Sequence, residues 1–392
     1  MGVVVTGVGI VSALGVGVQS NIVSMREGRS GISAHPSILK TGNILPVGEL
    51  RMTNDELHRL ADIPLHKHLS RTALLGIIAA REALADAKAE PSKRIGLVSS
   101  TSVGGMDLTE GFFREFMKDD SAGRLRDVRM HDCGAITSAM AHYCGINAYT
   151  TTISTACSSA ANAVMFGAKL IEHDVVDYVV AGGSDALSAF TLNGFKSLMI
   201  LDRQACRPFD RSRAGLNLGE GAGYLVLQGD KNSAPNYYCR LAGYANRNDA
   251  HHQTATSAGG EGAYLAMAEA LKLANLSPRA VSYINAHGTG TQNNDSAESA
   301  AFIRLFGENI PAFSSTKGFT GHTLAAAGGI EAAYSVLSVA KGFLYPNLNF
   351  SHPIEEFGLI PNSEFSEGKD IDCVLSNSFG FGGNCSSLVF VR

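Results

Sequence analysis

Short apolar runs recur along the chain, and most read as buried β-strands. Val3-Val4-Val5 opens the first; Arg94 to Ser100, Tyr149 to Ser154, Val175 to Ala181 (ending at Gly182-Gly183) and Ala222 to Leu227 follow. Continuous apolar character in short segments rich in β-branched residues marks strands covered on both faces. Helical spacing separates them: Asn54 to Ala89 carries Leu74, Leu75, Ile77, Ile78, Ala80 and Leu84, and Ala135 to Tyr143 is a helix of small residues. After Pro235 the order starts again. Cys239 to Tyr244 is strand-like and Glu261 to Ala274 an amphipathic helix. Val281 to Ala286 and Ala312 to Ser315 are strands, Ala325 to Lys341 is a helix, and Ile371 to Ser376 and Ser387 to Val391 are strands. Strands alternating with helices predict a mixed α/β fold with mostly parallel sheets. Each half runs strand, helix, strand, a turn into an Ala-rich helix, then two strands. That order predicts a duplicated unit with halves 1–235 and 236–392.

The two small-residue helices, Cys157 to Ile171 and Ala325 to Val339, carry few charges on any face. A helix apolar nearly all round is buried on all sides, here between two sheets. Glu331 inside the second helix is then anomalous, because a buried carboxylate needs a cation or several donors. Lys317, at a strand exit, is its natural partner.

Composition narrows the function. With 392 residues, 45% hydrophobic and 17% charged, the chain is long enough for two globular lobes. A net charge of −4 without a dense basic run argues against nucleic-acid binding. Seven cysteines, an odd number with no CxxC pair, point to a reducing cytoplasm and away from disulfides or a metal site. No run of 18 apolar residues exists, so no membrane span is expected, and the strand-like start shows no secretion signal. Gly7-Val8-Gly9-Ile10-Val11-Ser12 is a broken dinucleotide fingerprint, and a strand with a tight glycine turn is the better reading.

Candidate chemistry lies at four strand exits. Cys157 stands where a β-rich run becomes a helix; facing a helix N-terminus, its thiolate would gain about 0.3–1 kcal/mol, too little without a further donor or base. A buried structural cysteine is the competing reading. Asn285-Ala286-His287-Gly288-Thr289-Gly290-Thr291 puts a histidine on a glycine loop beyond a strand, where α/β proteins place ligands. Ser314-Ser315-Thr316-Lys317-Gly318-Phe319-Thr320-Gly321-His322 brings a lysine and a second histidine out together. Asn377-Ser378-Phe379-Gly380-Phe381-Gly382-Gly383 reads as a turn that presents backbone N–H groups; a phosphate cradle would need Lys and Ser/Thr at Walker spacing, which are absent. One cysteine and two histidines at such exits fit thioester chemistry: a thiolate takes an acyl group, and two imidazole N–H donors stabilise an enolate.

With these stretches assembled, the chain resembles the elongating β-ketoacyl-[acyl carrier protein] synthases of the thiolase-like condensing enzymes. The likeness runs from about Val3 to Val391 and includes Arg207-Pro208-Phe209-Asp210 and Gly219-Glu220-Gly221-Ala222-Gly223. It implies a five-layered αβαβα sandwich of two related halves, usually dimeric, and decarboxylative Claisen condensation with malonyl-carrier protein. It implies Cys157 as nucleophile, His287 and His322 at the malonyl thioester, and Lys317 shaping the electrostatics with Glu331 and Asp295. Backbone N–H groups of Cys157 and Phe381 would form the oxyanion hole. Thr289 and Thr291 would bond the phosphopantetheine arm, and Phe381 would gate an acyl pocket lined by Phe379, Phe195, Val103 and Leu216. No metal or cofactor is implied beyond the carried arm. The partners implied are an acyl carrier protein and a second subunit, identical or a chain-length partner. Lys67, Arg71, Arg124, Arg126 and Arg129 are candidates for docking the acidic carrier.

The chain also departs from the family. Asn384-Cys385 replaces the usual Thr-Asn, Leu216 stands for Phe, and Gly134 lies where Asn is common, which leaves chain length and a fatty acid, polyene or polyketide-type pathway open. A thiolase would need a second catalytic cysteine, for which Cys385 is the candidate. A chain-length subunit would lack Cys157, and a nicotinamide oxidoreductase rests only on the broken glycine motif.

Overall fold

The computed structural model describes residues 2–39, 41, 45–230 and 237–392. The division at 235/236 and Pro235 therefore lie outside the described residues. The first half supplies strands β1 (Val3–Ser12), β2 (Ile95–Ser100), β3 (Thr150–Ile153), β4 (Tyr178–Asp185) and β5 (Gly221–Gly229). The second supplies β6 (Cys239–Asn248), β7 (Tyr283–Asn285), β8 (Ala312–Ser314), β9 (Cys373–Gly380) and β10 (Asn384–Val391). The helices are α1 (Gly17–Arg26), α2 (Asn54–Leu60), α3 (Arg71–Asp86), α4 (Met106–Phe116), α5 (Cys133–Tyr143), α6 (Ser159–Glu172), α7 (Ala189–Ser197), α8 (Glu261–Leu273), α9 (Gln292–Phe306), α10 (Lys317–Thr320) and α11 (Ala327–Lys341).

Strand order carries the duplication. One half runs β3-β2-β4-β5-β1 and the other β8-β7-β9-β10-β6. The two meet where Val3 to Val5 of β1 pair antiparallel with Cys239 to Leu241 of β6. Within each half the first strands pair in parallel and the last two antiparallel. Helices α6 and α11 each touch strands of both halves, while α3 and α5 cover one outer face and α8 and α9 the other. That is the five-layered arrangement, helix, sheet, helix pair, sheet, helix. Every residue of α11 from Ala327 to Val339 is buried, as its nearly uncharged surface requires.

Close backbone approach sets the glycine pattern. A Cβ at Gly9 would stand 1.9 Å from the Ala79 carbonyl oxygen of α3, and one at Gly7 2.1 Å from that of Ala83. The N-terminal glycines therefore seat α3 on a strand that runs on through them, with a register shift between Val5 and Gly7, and the expected turn is absent. Gly243 does the same for α8, where a Cβ would meet the Ala270 oxygen at 2.2 Å. Gly182-Gly183 likewise continues β4 instead of ending it, since a Cβ at Gly182 would meet the Gly223 oxygen at 2.0 Å.

Other expectations shift. The Asn54–Ala89 pattern splits into α2 and α3, with Pro64 between them and Ser70 capping α3 through the Ala73 N–H. Asn377 to Gly380 belong to β9, so the glycine turn is only Phe381 to Gly383. Arg71 is buried and holds Glu220 in a bidentate pair at 2.9 and 2.6 Å, with Leu50, Met52 and Asn54 taking its remaining donors. It cannot face a carrier protein, whereas Lys67, Arg124, Arg126 and Arg129 are exposed. Among the described residues no helix is long and apolar enough to cross a membrane.

Gly9→Ala should destabilise the fold by about 1–3 kcal/mol through overpacking. Gly111→Ala, on α4 with nothing within 4 Å, should stabilise it by about 0.5–1 kcal/mol. Urea unfolding of both variants checks this, and coincident midpoints would refute it.

Candidate active site

Cys157 lies in the turn between β3 and α6. The helix begins at Ser159, two residues later than the sequence pattern suggests, and Ala156 takes a left-handed φ of 53° to make the bend. A non-glycine residue held at positive φ costs of order 1 kcal/mol or more and is kept where the surroundings impose it. Cys157 is nearly buried, and burial pushes its thiol up to about 11. Lys317 and the backbone N–H groups of Phe381 and Cys157 itself pull the other way without prevailing, and Glu331 adds to the rise. Desolvation thus works against the thiolate, and a helix end worth about 0.3–1 kcal/mol does not offset it.

His287 leaves β7 on a loop fixed from behind. Glu298 of α9 accepts from the His287 and Gly288 N–H groups at 2.9 and 2.8 Å, and from the Asn377 amide at 3.2 Å. His322 follows α10, where its N–H donates to the Asn217 carbonyl at 2.7 Å and its own carbonyl accepts from Gly219 at 2.9 Å. The two rings stand edge to face with centroids 5.4 Å apart.

Their tautomers follow from what each Nδ1 meets. The Lys317 ammonium donates to His287 Nδ1 at 3.3 Å, and the Leu324 N–H, on a residue with φ 53°, donates to His322 Nδ1 at 3.1 Å. A ring nitrogen that accepts carries no proton, so both rings carry theirs on Nε2. Burial holds both well below the ordinary histidine range, with Lys317 adding to this at each ring and His322 also at His287. The result is two neutral Nε2–H donors.

Lys317 is almost fully buried and spends its donors on His287 Nδ1, the His287 carbonyl and the Glu331 carboxylate. Burial raises Glu331 to about 7, Lys317 opposing it. The partner expected for Glu331 is therefore in place. Asp295 is not part of this group: it accepts from Phe209 at 2.8 Å and Gly290 at 3.2 Å and lies 3.9 Å from Arg213. Glu298, one helical turn further on, is the carboxylate behind His287. The signal that could have found it is the one that exposed Glu331, a carboxylate inside a run of small residues (Ser296-Ala297-Glu298-Ser299-Ala300-Ala301).

A cavity of about 360 Å3 collects the other residues. Cys157, His287, His322, Thr289, Thr291, Phe195, Leu216, Phe379 and Phe381 line it, with Met199, Thr254 to Thr256 and Gln292 to Asn294 also on its wall. Phe195 and Phe381 stack with centroids 6.0 Å apart, and Phe379 packs 5.6 Å from His287. Thr289 and Thr291 share a hydrogen bond of 2.8 Å. Val103 does not line this cavity; it packs behind the wall with Leu187, Leu192 and Leu216. Cys385 is also elsewhere, in the core beneath α8, where burial pushes its thiol up to about 12. Alternation along β10 turns Asn384 towards α6 and Cys385 away from it.

The N-terminal domain of β-ketoacyl synthases matches residues 1–233, and the C-terminal domain residues 238–351. The chain is 33% identical to 3-oxoacyl-[acyl-carrier-protein] synthase 2 of Staphylococcus aureus over 100% of its length and 98% of that protein's. The ishigamide ketosynthase/chain length factor superposes with a TM-score of 0.93 at 28% identity, covering 100% and 99% of the two chains. A ketosynthase in complex with its type II PKS acyl-carrier protein superposes with a TM-score of 0.89 at 28% identity, over 100% and 99% of the two chains. With both domains matched along most of the chain and a relative 33% identical over its full length, this protein belongs to the β-ketoacyl synthase family.

Proposed function

We propose that the protein is an elongating β-ketoacyl-[acyl carrier protein] synthase, an acyltransferase that condenses a cysteine-bound acyl chain with a malonyl-carrier protein. The observation that carries this reading is a buried thiol sharing one cavity with two imidazoles, whose Nδ1 atoms face the Lys317 ammonium and the Leu324 N–H and so leave Nε2 as the donor.

In the first step Cys157 Sγ bonds to the acyl carbon of a phosphopantetheine thioester, and the Sγ proton leaves with the departing pantetheine thiol. No net base is consumed, so a resting thiol is compatible with the chemistry. The N–H groups of Cys157 and Phe381 stabilise the oxyanion. In the second step the malonyl C–C bond breaks, CO2 departs, and Nε2–H of His287 and His322 hold the enolate oxygen. The enolate carbon attacks the acyl carbonyl, the Cys157 thiolate leaves, and one proton is taken up. Neutral donors suit this task, because an imidazolium would give its proton to the enolate. Lys317, paired with Glu331, keeps His287 neutral and correctly tautomerised.

Residues 1–235 thus supply the nucleophile and residues 236–392 the enolate-holding pair. Thr289 and Thr291 would bond the pantetheine arm, and no further cofactor is needed. Phe113, Phe116, Met117 and Leu125 leave an apolar face on the half whose outermost strand is β3, which suits a second subunit. A chain-length partner is the second reading for that subunit, favoured by the ketosynthase/chain length factor to which this chain is similar. The thiolase alternative loses its base, since Cys385 lies outside the cavity. Seven free thiols suit a cytoplasmic location.

Incubation with an acyl-carrier protein should add one acyl mass to the peptide bearing Cys157 and none to Cys157→Ala. His322→Ala should keep acylation while losing malonyl decarboxylation by about 10²–10³-fold, the worth of one such donor; loss of acylation alone would contradict the division of labour. Iodoacetamide labelling of Cys157 should rise with pH to a midpoint above that of a free thiol. Lys317→Met should move that midpoint higher still, because it removes the cation that favours thiolate.

A further inference from the structure

We propose that Asn384 is a positioning residue for acyl transfer, holding the nucleophile turn and the Phe381 loop at one separation although they come from opposite halves of the chain. The inference rests on the reading that the Cys157 and Phe381 N–H groups receive the oxyanion.

Asn384 opens β10, three residues after Phe381. Its Oδ1 accepts from Ser158 Oγ at 2.9 Å, from Asn162 Nδ2 at 3.1 Å and from Asn246 Nδ2. Ser158 is the residue next to the nucleophile, Asn162 lies one turn further along α6, and Asn246 comes from β6. Ser158 Oγ also reaches the Thr155 carbonyl at 2.8 Å, and the Asn384 amide oxygen is the acceptor on which the Asn162 and Asn246 Nδ2 groups converge. The network closes on itself: Asn162 Nδ2 reaches Thr155 Oγ1 at 2.8 Å, Asn246 Nδ2 reaches Ser386 Oγ at 2.9 Å, and Ser386 Oγ donates to Asn162 Oδ1 at 2.8 Å.

The opposite side of the loop is tied down separately. Gly383 O accepts from Asp249 N–H at 2.8 Å, Gly382 N–H donates to Gln253 O at 2.7 Å, and Asn248 Nδ2 donates to Gly382 O at 2.9 Å. Gly380 presses so closely on the nucleophile turn that a Cβ there would stand 3.1 Å from the Cys157 nitrogen. The loop is thus clamped from outside by residues 248 to 253 and from the nucleophile side through the Asn384 amide. An oxyanion hole built from two halves needs such a tie, because a misplacement of about 1 Å can cost about 10²-fold in rate. Without the acceptor, Ser158 Oγ keeps the Thr155 carbonyl at 2.8 Å and Asn162 Nδ2 keeps Thr155 Oγ1, both within the nucleophile's own half, so the tie to the Phe381 loop is what is lost.

The test is single-turnover acylation by hexanoyl-N-acetylcysteamine, followed by mass, across a range of thioester concentrations. Asn384→Leu, which keeps the volume without the acceptor, should lower the maximal rate by about 10–100-fold while the half-saturating concentration changes less than about two-fold. Asn384→Asp, which keeps the acceptor, should return the rate to within about five-fold and raise the midpoint of Cys157 alkylation, since a carboxylate opposes the thiolate. A Leu variant within about two-fold of the parent, a loss confined to half-saturation, or an Asp variant as slow as Leu would each overturn the proposal. If the Leu variant does not fold, Asn384→Ala is read by the same criteria. Acylation persisting in Cys157→Ala would instead overturn the underlying reading, whatever Asn384 does.

Discussion

The buried ammonium of Lys317 is the interaction on which the site depends. Its donors go to Glu331, to the His287 carbonyl and to His287 Nδ1, and it lies close enough to bear on both imidazoles and on the thiol. A cation in this position does three things at once. It fixes the tautomer of His287, discourages protonation of either ring, and favours thiolate at Cys157. Breaking a buried pair costs about 3–5 kcal/mol because the surviving charge is left uncompensated. Glu331 is therefore as necessary as Lys317, although it touches no atom that reacts.

The frame that delivers these groups is a five-strand order used twice and joined by three residue pairs. Equivalent places in the two halves carry different chemistry. In the first, the turn from β3 into α6 holds Cys157. In the second, the segment from β8 to α11 holds Lys317, His322 and, on α11 itself, Glu331. Because α6 and α11 lie side by side between the sheets, the turns that lead into them open on one cavity. Close packing makes this rigid: Gly223 and Gly329 bring α11 onto β5, where a Cβ on Gly329 would stand 2.3 Å from the Gly223 oxygen. A frame held by backbone contact leaves little slack for the donors it positions.

Much of this was legible in the chain because local patterns report local physics. Apolar runs located most strands, small-residue runs located the two buried helices, and a lone carboxylate in one of them called for Lys317. Glycines were harder to read. Gly7 and Gly9 permit close approach of a helix, and Gly182-Gly183 close approach of a neighbouring strand, yet each pattern is equally a turn on paper. Arg71 reads as a surface cation until Glu220, distant in sequence, is set against it. For the thiol, the helix end is visible in the sequence and the desolvation that opposes it is not.

What the amino-acid order determined by itself was the alternation of elements, their repetition, and the residue types at each strand exit, all consequences of periodicity and of the cost of burying charge. Tertiary structure alone decided which carboxylate stands behind His287, which face of β10 Cys385 occupies, and where the protons sit on the two rings. Leu324 reaches His322 only through a left-handed turn that the surroundings impose, and Lys317 reaches His287 only once β7 and β8 lie side by side. Burial and hydrogen bonding are properties of the folded chain, and no stretch of sequence carries them alone.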